Sequence, residues 1–202
     1  MIAIDPTQNT ERENYKLLIG SIIPRPIAFV TSVSKDGVLN GAPFSYFNIV
    51  SSNPPMVSIS IQRSGGIQKD TARNILETKE FVIHIVDDLN VDPINQTAAS
   101  LPPNQSEIDL AGLTPVPSSK ISVPGIKEAK VRFECQLEHS VVLGGEESPG
   151  CDLIIGKIVQ FHIDHEIYEE GRIDPVGLGA VSRLAGTNYA KIGEIFSIQR
   201  PK

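Results

Sequence analysis

The chain has 202 residues and a net charge of −6, and hydrophobic residues make up 40% of it. This composition excludes a disordered or fibrous protein, and the length predicts a single domain over residues 1–202 with one large core. The negative charge argues against a nucleic-acid partner, because binding to phosphate backbones depends on a basic surface.

The N-terminal segment predicts a cytoplasmic protein without membrane association. Its first 14 residues carry acids where a signal peptide would have a basic and then an apolar region. No apolar run in the sequence approaches the roughly 18 residues that a membrane-spanning helix needs.

Strand-like patterns dominate the sequence. In chain order they predict strands at 26–34, 38–42, 56–62, 81–86, 131–138 and 152–163. Apolar and polar side chains alternate through the fifth of these segments, as is typical of a strand with one buried and one exposed face. An Asp-Gly pair at 36–37 favours a tight hairpin between the first two strands.

Helical signals are fewer. The strongest predicts a helix over 70–79 with Asp70 as its N-cap, and weaker amphipathic patterns lie at 11–19 and 92–100. The proline-rich stretch at 101–125 has strand-like sequence on both sides. We therefore interpret it as a long excursion from the fold and not as a linker between domains.

Many short strands with few helices predict a mainly β protein, and a closed antiparallel barrel is favoured because closure removes exposed sheet edges. A doubly wound α/β fold is the competing architecture. It would need helices alternating with strands, and the sequence between residues 131 and 163 contains no helical pattern.

The common catalytic and nucleotide-binding motifs are missing from the sequence. It contains no dinucleotide-binding glycine fingerprint, phosphate-binding loop, nucleophile elbow or zinc-protease motif. His162 and His165 are three residues apart, which places them on opposite faces of a strand, and the cysteines lack the spacing of metal ligands. We therefore predict no metal site, and any cofactor must bind by another route.

The segment 40–55 is the most unusual part of the sequence. Its small residues and prolines would let the backbone approach a flat ligand, and Ser45, Asn48 and free N–H groups could bond to ring heteroatoms. The alternative is a proline-rich loop whose aromatic side chains close one end of the barrel.

A second candidate site is Lys69-Asp70-Thr71, at the start of the predicted helix. Unpaired N–H groups at a helix N-terminus, together with a lysine and a threonine hydroxyl, could bind a phosphate monoester. The alternative is that Asp70 only caps the helix and Lys69 is solvated.

The two cysteines have different surroundings. Cys135 is in phase with the inward face of its strand, so we predict a buried, inert thiol. Cys151 follows a polar, glycine-rich segment at 144–150, and we expect an accessible loop thiol without a nearby cation or base to activate it.

Several blocks of sequence together resemble the flavin reductase-like family. They are Pro24-Arg25-Pro26, Thr31 with Asp36-Gly37, the segment 40–48, the Pro54-Pro55 pair and the segment 69–75, in an order and spacing that match over residues 14–195. The resemblance implies a split β-barrel of Greek-key type with a few peripheral helices. It also implies bound FMN and a homodimer with the flavin near the subunit interface.

The resemblance also implies roles for individual residues. Thr31 and Ser32 would line the isoalloxazine edge, and Lys69 and Thr71 would hold the phosphate. The flavin heteroatoms would bond to the backbone or side chains of Ala42, Pro43, Ser45, Phe47 and Asn48. Arg183 and Tyr189 lie in a segment similar to the family's R-L-G-G-x-x-Y, with Ala185 replacing a glycine, and would approach the flavin, often from the partner chain. A surface salt bridge and a packed ring are the alternative roles for that pair.

The leading hypothesis is an FMN-binding oxidoreductase that passes electrons from NAD(P)H or another donor to free flavin, a metal chelate or a partner protein. The alternatives are an FMN-binding carrier or storage protein without nicotinamide turnover, and a structural barrel without a ligand. Cys151 aligns with the histidine of the family's G-D-H-x-L-x-x-G pattern, which is proposed to contact the nicotinamide. We therefore expect slow reduction by NAD(P)H.

Overall fold

The computed structural model describes residues 1–99, 101–102, 104–145 and 149–201. The helices are α1 (Glu11–Ser21), α2 (Asp70–Thr78), α3 (Val91–Gln96), α4 (Glu107–Leu110) and α5 (Pro175–Leu178), with 3-10 turns at Pro6–Gln8 and His165–Ile167. The strands are β1 (Arg25–Pro26), β2 (Ala28–Val33), β3 (Leu39–Phe44), β4 (Phe47–Ser52), β5 (Pro55–Gln62), β6 (Glu80–Ile85), β7 (Pro115–Val116), β8 (Gly125–Ile126), β9 (Val131–Gly144), β10 (Pro149–Ile163), β11 (Tyr168–Glu169), β12 (Arg172–Ile173), β13 (Val181–Arg183) and β14 (Tyr189–Lys191). The mainly β fold is confirmed.

One seven-stranded sheet organises the protein, in the order β3-β2-β6-β9-β10-β5-β4, and every neighbouring pair is antiparallel. The doubly wound alternative is therefore wrong. The end strands β3 and β4 are consecutive in the sequence, joined by Ser45 and Tyr46, but within the described residues they are not paired with each other. Full closure of the barrel is thus also wrong, and the barrel is split between these two strands.

The predicted hairpin is present and fixes the position of β3. Gly37 has a φ of +84°, and its N–H donates to the Ser34 carbonyl at 2.9 Å. Beyond this turn β2 and β3 pair from Val33 opposite Leu39 to Ala28 opposite Phe44. Since β2 pairs with β6 on its other side, β3 becomes an end strand with one open edge.

Within the seven-stranded sheet, β4 is the strand that the sequence pattern did not predict. It lies within the segment 40–55, where prolines and serines interrupt any alternation of apolar and polar residues. Most of its side chains are exposed, so the strand has no buried face to generate such a pattern.

The core has two parts, one on each face of β2 and β6. The cluster inside the barrel combines side chains of β2, β5, β6, β9 and β10 with Ala72 and Ile75 of α2. The second cluster packs Phe29 of β2 against Ile94 of α3, Ile108 of α4 and Ile126 of β8. The proline-rich excursion is therefore part of the fold, and it brings α4 against β3.

The helices broadly follow the predictions. Helix α1 begins at a capping box, in which Thr10 and Glu13 each bond to the other's backbone N–H. Helix α3 ends at Gln96, earlier than predicted, and Ser100 of the predicted segment lies outside the described residues. In the described part of the chain no helix is long and apolar enough to cross a membrane.

His84 is a buried polar residue that connects three strands. Its Nδ1 lies 3.0 Å from the Phe29 carbonyl of β2, and its Nε2 accepts a hydrogen bond from the Ile126 N–H of β8 at 2.9 Å. Burial lowers the pKa of His84 to about 3, because a charged imidazole would lose its hydration. The neutral ring therefore joins β2, β6 and β8 at any physiological pH.

Gly156 on β10 is a test of the packing inside the barrel. A Cβ atom built there would lie 2.3 Å from the Phe81 ring, whereas one at Gly20 on α1 would meet no atom within 4 Å. Gly156→Ala should lower the free energy of unfolding by about 1–3 kcal/mol because it overpacks the core. Gly20→Ala should raise it by about 0.5–1 kcal/mol. Denaturant unfolding measures both, and equal stability of the two variants would contradict the packing argument.

Candidate functional site

Three adjoining cavities follow β3 and the start of β4, and we call them together the edge groove. The first, of about 340 Å³, lies at the N-terminus of α2, and the second, of about 240 Å³, lies beside β13 and β14. These two share Pro43, Phe44 and Ala98, and a third, of about 390 Å³, shares Ser45 with the second. The edge groove thus runs along the open side of the split barrel.

The first cavity ends at the N-terminus of α2, where the structure corrects the predicted cap. The N-cap residue is Lys69, without a side-chain hydrogen bond to the helix, and Asp70 is the first helical residue. The Asp70 carboxylate instead forms an ion pair with Arg73 at 2.7 Å. The first N–H groups of α2 therefore have no side-chain cap. They follow the exposed residue Lys69, whose ammonium nitrogen lies 5.9 Å from the centre of the Phe44 ring.

A network of buried polar side chains forms the wall next to this helix. The Thr71 hydroxyl donates to Asn40 Oδ1 at 2.9 Å, and Asn40 Nδ2 donates to Glu107 Oε2 at 2.9 Å. Two further residues extend the network into the protein. The Ser32 hydroxyl donates to Asn40 Oδ1 at 3.4 Å, and Asn74 Nδ2 donates to the Ser32 hydroxyl oxygen at 3.2 Å. The hydrogen of the Thr71 hydroxyl is therefore already engaged, although Thr71 lines the first cavity.

Thr31 and Ser32 are not brought to the edge groove. Both are fully buried on β2, and neither lines any of its three cavities. The Thr31 hydroxyl donates to the Pro124 carbonyl at 2.7 Å, so it holds the excursion to the barrel. Their predicted contact with a flavin edge remains a prediction.

Glu107 is a site residue that the sequence analysis missed. It lies on the short helix α4 within the excursion and is only 7% exposed, yet it lines the first cavity. Burial raises its pKa, and the nearby Asp70 carboxylate adds to the rise. No motif marks this glutamate in the sequence, because its position depends on the packing of α4 against β3.

Arg183 and Tyr189 form one wall of the second cavity. The guanidinium carbon of Arg183 lies 4.4 Å from the centre of the Tyr189 ring, a cation–π arrangement. Arg183 Nη2 also donates to the Gly186 carbonyl at 2.7 Å, and the Tyr189 hydroxyl donates to Asn95 at 2.9 Å. The pair presents stacked planar groups opposite Pro43 and Ser45 of the same chain.

The third cavity contains the remaining predicted residues. Phe47 and Asn48 line it together with Ser45 and with side chains of α1. Arg25, also in its wall, is 6% exposed and donates through its terminal nitrogens to carbonyls of Ile19, Ile22 and Leu184. Its Nε atom is buried and has no hydrogen-bond partner among the described residues. The wall of this cavity therefore contains a cationic side chain, Arg25, with one N–H donor that is unpaired among the described residues.

The surroundings of Cys151 differ from the prediction. Cys151 lies on β10, paired with Gln62 of β5, and not in a loop, although residues 146–148 of the preceding segment lie outside the described part. The neighbouring Asp152 forms a bidentate pair with Arg63, at 2.7 and 2.9 Å. The hydrogen bond to Asp152 raises the pKa of Arg63. The expected loop position of Cys151 is therefore wrong, whereas the absence of a cation or base that activates this thiol stays a prediction.

Cys135 agrees with its predicted role. Its side chain is fully buried within the barrel cluster, and burial raises the pKa of its thiol. Over residues 1–99, 101–102, 104–145 and 149–201, no group of three or more His, Cys, Asp or Glu side chains is arranged to hold a metal ion.

Comparison with known proteins agrees with this fold. The family model described as "Flavin reductase like domain" matches residues 19–177, which is more than half of the chain. The protein therefore belongs to the flavin reductase-like family. The chain is 20% identical to a solved structure from Shewanella frigidimarina that is described as having a split barrel domain. The match covers 96% of each of the two chains with a TM-score of 0.83, which confirms the split-barrel fold.

The chain is also similar, over nearly its whole length, to three further proteins. The chain is 61% identical to nitrilotriacetate monooxygenase component B from Bacillus cereus, with 98% of each chain covered and a TM-score of 0.97. It is 29% identical to 2-nitrobenzoate 2-nitroreductase NbaA from Pseudomonas fluorescens, with 99% of this chain and 96% of that chain covered and a TM-score of 0.89. It is 50% identical, over 100% of both chains, to the uncharacterized protein YwrF of Bacillus subtilis.

Proposed function

We propose that the protein binds FMN in the edge groove and acts as an oxidoreductase, passing electrons from NAD(P)H or another donor to free flavin, a metal chelate or a partner protein. The observation that carries this proposal is the uncapped N-terminus of α2 beside Lys69, at one end of a groove that otherwise follows a strand edge. Unpaired N–H groups and an ammonium group suit a terminal phosphate.

The rest of the edge groove fits the flat part of such a cofactor. Ala42 and Pro43 line it along β3, Ser45, Phe47 and Asn48 line it further on, and the stacked pair of Arg183 and Tyr189 forms the opposite wall. Planar side chains favour a ring system, and the strand edge offers backbone hydrogen bonds. Bound FMN supplies the redox chemistry, so the protein has to hold and orient it.

The names of two relatives favour an oxidoreductase over a structural barrel. Component B of nitrilotriacetate monooxygenase and the nitroreductase NbaA are both named for reactions that oxidise or reduce organic compounds. A protein named as one component of a monooxygenase also implies a second component. We therefore favour a partner protein or free flavin as the electron acceptor.

Lys69 provides the test of the phosphate position. Lys69→Gln should weaken FMN binding about tenfold, because a hydrogen bond to a charged group contributes about 1.5–3 kcal/mol. Riboflavin, which lacks the phosphate, should bind within about twofold of the unmodified protein. Fluorescence titration measures both affinities.

The matched control is Lys79→Gln. Lys79 is exposed at the other end of α2, where it is the C-cap residue, so its removal should leave both affinities unchanged. Equal losses of FMN and riboflavin affinity in Lys69→Gln would contradict a phosphate at this end of the groove.

We also propose a homodimer. Leu18 of α1 and the following Ile22 are exposed apolar side chains that line the third cavity, and exposed Ile49 and Val50 follow its lining residue Asn48 on β4. A second copy of the chain would cover these apolar side chains.

Light scattering should give about twice the chain mass of 21.9 kDa. Ile49→Glu should shift the protein toward the monomer, because Ile49 is 77% exposed on β4 and a buried charge would oppose association. Leu89→Glu, at a comparably exposed position away from this surface, should leave the mass unchanged. A monomer that binds FMN tightly would contradict a site completed at the interface.

The carrier function remains the second candidate because of Cys151. A thiol at the position where the family pattern has a histidine cannot provide the charge or the two-sided hydrogen bonding of an imidazole. We expect slow reduction of the bound flavin by NADH and fast reduction by dithionite. Cys151→His should raise the rate with NADH by about tenfold, equivalent to one contact of about 1.4 kcal/mol.

The control for this substitution is Cys151→Ser, which removes the thiol without adding an imidazole and should not raise the rate. Stopped-flow absorbance of the flavin measures all three proteins. Rapid turnover of NADH by the unmodified protein would favour the enzyme and exclude the carrier.

A further inference from the structure

The Glu107 carboxyl faces the same cavity as Lys69 and the N-terminus of α2. One oxygen, Oε2, accepts hydrogen bonds from Asn40 Nδ2 at 2.9 Å and from the Gly41 N–H at 3.4 Å. Apart from these donors and its own backbone N–H, no group in the described part of the chain bonds to the carboxyl. Glu107 therefore has one oxygen held by β3, and its other oxygen has no partner on any other described residue.

Few charges surround this carboxyl. Among the residues lining the first cavity, the other charged groups are Lys69 and Asp70, and Asp70 is paired with Arg73. From β3, from residues 97–99 and from residues 64–68, the lining residues carry no titratable group. Asp109, on the same helix as Glu107, lines a different cavity. A phosphate at the α2 end would therefore lie near one cation and an unpaired buried acid.

A phosphate monoester and an ionised Glu107 would repel each other in this cavity. The phosphate carries a charge of about −1.5 to −2 at neutral pH, and the repulsion between like charges is stronger at a partly buried carboxylate than in bulk water. Burial already disfavours the charged form of Glu107. Protonation removes the repulsion and converts the free oxygen into a hydrogen-bond donor.

We propose that Glu107 takes up a proton from solvent when a phosphate monoester binds at the N-terminus of α2, and then donates a hydrogen bond to it. This proposal rests on the proposed FMN site and makes Glu107 the residue that sets how phosphate affinity depends on pH. Asn40 is the positioning residue, because it holds the other carboxyl oxygen in the strand edge.

The direction of the pH dependence follows from this linkage. Affinity for FMN falls as pH rises through the interval between the pKa of Glu107 in the free protein and its higher pKa in the complex. The second ionisation of the phosphate, near pH 6, acts in the opposite direction, since the dianion binds Lys69 more strongly. Riboflavin has no phosphate and is subject to neither effect.

The test uses Glu107→Gln, whose amide keeps an oxygen for Asn40 and Gly41 and presents a donor to the cavity. Affinities for FMN and riboflavin are measured by fluorescence titration between about pH 5.5 and 8. At the alkaline end Glu107→Gln should bind FMN about tenfold more tightly than the unmodified protein, with a weaker pH dependence. Riboflavin affinity should agree within about twofold in the two proteins at every pH.

Asp109→Asn is the matched control. It makes the same carboxylate-to-amide change on the same helix, but at an exposed position that lines a different cavity, so FMN affinity should stay that of the unmodified protein. Thermal unfolding without ligand shows whether each variant is folded.

Calorimetry supplies a measurement that needs no variant. Titrations of the unmodified protein with FMN, in two buffers of different ionisation enthalpy on the alkaline side of pH 7, should give a net proton uptake. The same titration with riboflavin, or of Glu107→Gln with FMN, should give about none.

The possible failures are distinguishable. FMN binding without proton uptake, and with equal affinity in Glu107→Gln and the unmodified protein, would overturn this inference and leave the proposed function intact. Equal tightening of FMN and riboflavin in Glu107→Gln would also overturn it, because the carboxyl would then act on the part that both ligands share. Absence of FMN binding in every protein would overturn both proposals.

Discussion

The outer edge of β3 carries backbone N–H and C=O groups without a strand partner, and each such group costs about 1–3 kcal/mol when it is buried unsatisfied. The protein satisfies part of this edge with side chains of the excursion. Ser106 donates to the Leu39 carbonyl at 2.6 Å, and Glu107 accepts from the Gly41 N–H. Pro43 has no N–H to satisfy, and from there onward the edge opens into the groove. The split in the barrel thus creates both a structural cost and a groove along the open strand edge.

Helix α2 likewise has backbone groups without a partner, the N–H groups at its N-terminus, next to a cavity. Helix α1, on the surface, begins with a complete capping box, whereas α2 begins at Lys69 without a side-chain cap. Helix α2 is instead held by packing, because Ala72 and Ile75 are buried in the barrel cluster and fix where the first turn of the helix points. Tertiary packing therefore holds in place a helix end that has no local cap, beside a cavity.

Under the proposed function, the charges around that cavity would let it discriminate between ligands. Lys69 and the α2 N–H groups favour an anion, while Glu107 opposes one unless it is protonated. A site with donors alone would bind phosphate at any pH. In our proposal the buried acid would add a dependence on proton concentration, and it comes from the excursion, which is not part of the seven-stranded sheet.

The sequence by itself determined six of the seven strands of the large sheet, the Asp-Gly hairpin and the buried thiol of Cys135, because alternation and turn chemistry act over a few neighbouring residues. The blocks that carry the family resemblance were also local. Only the tertiary structure decided the rest: Lys69 as the cap residue, Cys151 on β10 beside Arg63, the buried positions of Thr31 and Ser32, and Glu107 in the groove. Each of these depends on contacts between residues far apart in the chain, and a local pattern cannot specify which segment of the excursion reaches the open edge of β3.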